Sequence, residues 1–151
     1  MNGNYVAINV ETNALELLGI ENLKYEPHIS LMYSPGTTLN ADDIKTKVEN
    51  YEVWNMLRDS RVMPLAVEIF ESADGGHSVV LRFFDPLINA LHFLLQIEGL
   101  THSYHPHYNA HMSISYGMTK EEAETLKEKA TENLINIFVI PRTIVSEELE
   151  V

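Results

Sequence analysis

The chain has 151 residues, 45% hydrophobic and 21% charged, with no Cys, values of one globular domain (residues 1–151) that buries a core without disulfides and has no thiolate chemistry. Acidic residues outnumber basic ones 22 to 10, and the formal charge of −12 repels polyanions, which excludes long DNA or RNA on a basic face but permits a small phosphate ester held by local donors. No apolar run approaches the roughly 20 residues a bilayer requires and the amino terminus lacks a signal-peptide pattern, so a soluble cytoplasmic protein without membrane contact is expected.

Residues 4–10 read as a first strand, followed by a short helix with Thr12 as N-cap and Gly19 as stop. Residues 28–34 form a second strand, closed by the turn signal Pro35-Gly36. Asn40 caps a helix running to about Asp59, with Asp42 and Asp43 in the first turn, where the dipole favours negative charge. Its apolar stripe is Ile44, Val48, Tyr51, Val53 and Trp54. Two β-type runs, 65–70 and 78–84, flank the hairpin signal Ala73-Asp74-Gly75-Gly76 and read as antiparallel neighbours. Pro86 opens an apolar helix over 87–98 that Gly99 stops. A loop over 101–109 leads to a further strand ended by Gly117, and Thr119 with Glu122 makes a capping box for a helix to about Asn133. A closing strand over 135–140 is interrupted by Pro141, with 143–145 continuing it at an edge.

One short pattern occurs twice. His-Ile-Ser-Leu-Met-Tyr at 28–33 is echoed by His-Met-Ser-Ile-Ser-Tyr at 111–116. On a strand successive side chains alternate between faces, so His28 shares a face with Ser30, and His111 with Ser113. Strict alternation sends Tyr33 and Tyr116 the other way, into core packing. Each motif strand is preceded and followed by helix. The order predicts an α+β fold of two pseudo-symmetric lobes, their antiparallel sheets facing a central cleft and their helices outside. A lone His in a strand is ordinarily structural, but two in matching surroundings point to a shared site.

Cleaving a phosphodiester requires one proton removed from the attacking oxygen and one delivered to the leaving oxygen. Imidazole, with a reference pKa of about 6.5, does either near neutral pH. His28 and His111 are the candidate acid–base pair, and the Ser30 and Ser113 hydroxyls the candidate donors to the non-bridging oxygens. Which histidine is acid and which is base stays open. No metal and no other cofactor is expected, because the motifs supply no carboxylate or thiolate and serine hydroxyls are poor ligands.

These paired motifs resemble those of the 2H phosphoesterases, named for two facing His-x-Ser/Thr copies. Within that superfamily the chain is similar to the phage anti-CBASS cyclic-oligonucleotide phosphodiesterases, in its short length, its early Asn-Gly-Asn-Tyr-Val-Ala strand and its Pro-His-Ile-Ser-Leu-Met-Tyr-Ser segment. The resemblance implies a metal-independent viral enzyme, working in the host cytoplasm, that hydrolyses cyclic di- or trinucleotide immune signals. It also marks Tyr5, matching the family's early Tyr, as a candidate substrate-binding residue. Ser replaces the commoner Thr in both motifs, which keeps the hydroxyl and loses the methyl that stiffens the rotamer.

Other residues carry weaker signals. Tyr104 and Tyr108 are lesser candidates for base stacking, while Trp54 and Phe93 lie in apolar helix stripes and are expected in the core. His102, His105, His107 and His111 crowd together but match no compact zinc signature. His105 and His107 are expected above the cleft or on the surface. Arg82 and Arg142 either serve phosphate or are solvated strand residues, and 147–150 reads as a solvated acidic tail, with a base-reading carboxylate there as the lesser alternative. Rival functions are a 2′,3′-cyclic or 2′-5′ oligonucleotide phosphodiesterase acting on RNA ends, a catalytically silent module that sequesters nucleotides, and a purely structural protein. Base preference, ring size, product end and oligomeric state are not encoded in any motif.

Overall fold

The computed structural model describes residues 2–36, 38–101 and 107–150. Two three-stranded antiparallel sheets and several helices make a mixed α+β fold. In the first sheet β1 (Gly3–Thr12) is central, between β2 (His28–Pro35) and β6 (Val139–Leu149). In the second, β4 (His77–Arg82) is central, between β3 (Ala66–Glu71) and β5 (His111–Ser113). Each motif strand is therefore an edge strand, and the two edges, β2 and β5, lie against each other. Each motif stretch is closed by a glycine in the left-handed region, Gly36 at φ 99° and Gly117 at φ 63°, where a Cβ would be strained.

The helices are α1 (Ala14–Leu18), α2 (Ala41–Glu49), α3 (Glu52–Leu57), α4 (Pro86–Ile97) and α5 (Lys120–Glu132). Helix α4 packs on β2 and α5 on β3 and β4, so each sheet has one covered face. The capping box of α5 is formed on both sides, Thr119 Oγ1 accepting from the Glu122 amide and the Glu122 carboxylate from the Thr119 amide. Asp85 caps α4 by accepting from the amides of Leu87 and Ile88. Most of the buried apolar side chains form one continuous core. None of the described helices is long and apolar enough to cross a membrane.

Four local expectations are corrected. The helix expected from Asn40 to Asp59 breaks at Tyr51, which is extended at φ −71°, ψ 138°. There Tyr51 donates to Glu98 Oε1 at 2.9 Å, and the turn that follows carries Trp54 and Leu57 into the core. Asn13, not Thr12, occupies the N-cap of α1; Thr12 Oγ1 instead accepts from the Ala14 amide at 3.0 Å and donates to the Phe138 carbonyl at 2.8 Å. The chain over 134–136 is a 3-10 turn, and a single strand runs through Pro141. Proline is tolerated because the register shifts there, between Asn9 paired with Thr143 and Val10 paired with Pro141, so the missing donor falls at a bulge on an edge strand. The expected acidic tail is likewise ordered: Glu147, Glu148 and Leu149 pair with Tyr5, Asn4 and Gly3 of β1.

Candidate active site

Strand register carries one face of each sheet into a common cleft. In the first sheet His28 lies opposite Asn9, Ser30 opposite Ala7, and Tyr33 opposite Tyr5, which is in turn opposite Glu147. In the second, His111 lies opposite Arg82 and Ser113 opposite Val80. The cleft has a volume of about 630 Å³ and brings together His28, Ser30, His111 and Ser113, with Tyr5 among its walls. All five residues singled out from the sequence thus meet in one place.

The two histidines are held identically. His28 Nδ1 is 2.7 Å from the Glu26 carbonyl oxygen and His111 Nδ1 is 2.8 Å from that of Asn109, in each case two residues upstream. A carbonyl can only accept, so each Nδ1 carries a proton and donates it, which makes Nε2 the basic nitrogen of each neutral ring. The Phe70 ring stands edge-on to His111 with centroids 4.9 Å apart.

Each motif serine has a tyrosine beside it. Ser30 Oγ is 2.8 Å from Tyr5 Oη, and Ser113 shares the cleft wall with Tyr116, whose phenol it influences. Burial pushes both phenols above their ordinary pKa, and nearby Tyr116 and Glu147 add to the effect on Tyr5. Both hydroxyls therefore stay protonated and able to donate near neutral pH.

The expectation that Tyr33 and Tyr116 face the core is wrong, for a shared reason. Alternation fails after each serine, because two successive side chains turn inward. In β2 these are Leu31 and Met32, 0% and 1% exposed, where the register jumps from Ser30 opposite Ala7 to Met32 opposite Val6. After β5 they are Ile114 and Ser115, 0% and 5% exposed, with Ser115 Oγ accepting from the Val79 amide at 2.9 Å. The extra inward residue returns Tyr116 to the cleft wall, and Tyr33 to an adjoining compartment.

That compartment, about 460 Å³, shares Ser30 and His111 with the cleft and is walled further by Tyr33, Phe70, Arg82 and Tyr108. Arg82 is neither a free phosphate ligand nor a solvated residue. Its side chain is 12% exposed, with Nη1 2.9 Å from both Glu68 carboxylate oxygens and Nη2 3.0 Å from Asn109 Oδ1. Arg142 forms ion pairs with Asp59 and Glu11 at 2.7 and 2.9 Å and lines neither cavity.

Several aromatic expectations are resolved as well. Trp54 is in the core, but Phe93 is 66% exposed, because the buried stripe of α4 is Ile88, Leu91, His92 and Leu95. Tyr108 is no open stacking face: its ring lies flat on His92, centroids 4.1 Å apart, and its hydroxyl donates to the Ser30 carbonyl at 2.6 Å. His107 is exposed, and His102, Tyr104 and His105 lie outside the described residues. Among the described residues no group of three or more His, Asp or Glu side chains is placed to hold a metal ion.

Sequence reasoning overlooked Tyr25 at this site and placed Glu147 in a solvated tail, with a base-reading carboxylate there as the lesser alternative. Tyr25 is 52% exposed on the cleft wall, edge-on to Tyr116 at 5.1 Å, with Lys24 Nζ 5.2 Å from its ring centre. No periodicity signals it; its one clue is proximity to His28, whose carbonyl partner is the next residue, Glu26. Glu147 faces the cleft because β6 extends beyond the end expected for it.

Comparison with known proteins identifies no family model that matches the chain and no curated protein that matches it.

Proposed function

We propose that this chain is a metal-independent phosphodiesterase of 2H type that hydrolyses small cyclic oligonucleotides, an activity suited to a viral protein that silences cyclic-nucleotide immune signals. The observation that carries the reading is the matched pair of imidazoles, His28 and His111, each with Nδ1 tied to the carbonyl two residues upstream and both lining one cleft. Fixing the tautomer this way offers one Nε2 to each side of a phosphorus atom, as in-line displacement requires. The two-lobed arrangement of facing sheets is part of the same proposal, as is the cytoplasmic setting.

In the proposed reaction one imidazole takes the proton of the attacking hydroxyl, the ribose 2′-OH if the ring is a ribonucleotide, as its oxygen bonds to phosphorus. The other, as an imidazolium that carries a proton on Nε2 as well as on Nδ1, gives its Nε2 proton to the leaving ribose oxygen as the phosphorus–oxygen bond breaks. Water then opens the resulting 2′,3′-cyclic phosphate with the roles reversed. Ser30 and Ser113 donate to the non-bridging oxygens, and Tyr5 and Tyr116 orient those hydroxyls. The site supplies acid, base and donors from its own side chains. The charge of −12 and the cavity dimensions favour a ligand of a few nucleotides over a long strand.

Incubation with a mixture of cyclic dinucleotides, cyclic trinucleotides and 2′-5′ oligoadenylate, read by mass spectrometry with and without EDTA, tests this. EDTA-insensitive linearisation of a cyclic substrate, lost in His28→Ala and His111→Ala, is the expected result. Cleavage of 2′-5′ oligoadenylate alone would move the activity to RNA ends, intact ligand recovered from denatured protein would make the chain a sequestering module, and inhibition by EDTA would end the metal-free claim.

A further inference from the structure

We propose that His92, a residue of α4 that lines neither cavity, is a positioning residue for the phosphate-holding Ser30, acting through the backbone bulge of β2. The proposal rests on the phosphodiesterase reading for its kinetic consequence and on geometry for its cause.

At the bulge Leu31 has no partner opposite it in β1, so its polar groups fall outside the regular ladder. Two side chains from outside the sheet take up consecutive carbonyls of this stretch. His92 Nδ1 donates to the Leu31 carbonyl at 2.6 Å, and the Tyr108 hydroxyl donates to the Ser30 carbonyl at 2.6 Å. The two donor rings stack on each other at 4.1 Å and 8°. Each therefore fixes the other's plane as well as its own carbonyl.

His92 also stands out in its own helix. The buried stripe of α4 is otherwise Ile88, Leu91 and Leu95, and an apolar residue would complete it at no cost in desolvation. An imidazole 4% exposed is disfavoured there unless it is hydrogen-bonded, and its Nδ1 bonds to the bulge residue. The bulge begins at the residue after Ser30 and turns Tyr33 back to the Ser30 side of the strand three residues later. A brace at Leu31 thus holds the donor geometry at Ser30 without touching the reacting atoms.

The test uses His92→Phe, which keeps an aromatic ring for the stack but removes the donor, and His92→Asn, which restores an N–H near the Nδ1 position. Tyr108→Phe, lacking one hydroxyl, takes the place of His92→Phe if that variant does not fold. His92→Phe is expected to lose about tenfold in kcat with KM within about twofold, the scale of one unmade buried hydrogen bond, and His92→Asn to recover most of the loss. In the absence of substrate, amide hydrogen exchange is expected to accelerate over 30–33 and not over 111–113. Unchanged kcat and exchange, or equal acceleration at both motif strands, would show His92 to be a general core residue and overturn the proposal. Wild-type protein inactive on every nucleotide would defeat the phosphodiesterase reading instead, and the exchange comparison would still decide the brace.

Discussion

Strand β2 carries its histidine and serine within eight residues, paired along the ten-residue β1 and braced by His92 and Tyr108, whereas β5 presents the equivalent pair in three residues hydrogen-bonded to β4 alone. Despite that inequality, each half ties Nδ1 to the carbonyl two residues upstream, sets its serine in the cleft with a tyrosine and turns two successive residues inward before the next tyrosine. The difference teaches that the site's local geometry needs only a short hydrogen-bonded stretch with its immediate flanks. What the longer half adds is a set of contacts that hold that geometry still.

The largest expected effect tests whether the halves are equal partners. His28→Ala and His111→Ala should each lower kcat by about 10²- to 10⁴-fold, and the double variant should lose little more, because an acid without its base does no work. If the double variant loses the product of the two single effects, measured by the same turnover assay, the histidines act independently and the paired reading fails. Next come Ser30→Ala and Ser113→Ala, each expected to cost about 10²-fold in kcat, the scale of one removed transition-state donor. A loss confined to Ser30→Ala would mean that only the braced half binds phosphate. Smaller again, Tyr5→Phe and Tyr116→Phe remove only the hydroxyls facing the serines and should lower kcat by about three- to tenfold with the fold intact by circular dichroism.

The smallest effect is on stability. Burial holds the His92 pKa below its ordinary value, with Tyr108 as the ionisable group stacked on it. A depressed folded-state pKa means that the unfolded chain binds the proton more readily. The contribution is therefore fully present above the unfolded value of about 6.5 and is lost as pH falls through the lower folded value. Thermal melts from pH 7.5 to 5 should show the wild-type Tm falling more than that of His92→Phe. Parallel curves would remove His92 as the cause.

Much of the first coordination of the site was legible because it depends on local chemistry. Alternation alone sets His28 with Ser30 and His111 with Ser113, and the capping signals at Thr119, Asn40 and Gly19 act within a single turn. The tyrosines of the two motifs were misplaced because a bulge is a response to packing: apolar Leu31 and Met32 both gain by facing the core, and the strand gives up its register to bury them. Phe93 leaves its expected place in the core for a related reason, since the stripe of α4 is set by where β2 and α3 lie against it and takes in His92 instead. The hydrophobicity of a single residue does not set it.

By itself the amino-acid sequence determined the element types of most segments, the α+β class and which side chains share a strand face, because period and capping are properties of neighbours along the chain. Only the tertiary structure decided that β2 and β5 meet edge to edge, that Tyr25 and Glu147 join the cleft, and that His92 and Tyr108 donate to successive carbonyls of β2. Those facts depend on contacts between residues far apart in sequence, and burial sets them by offsetting the cost of broken regularity with apolar area and paired polar groups.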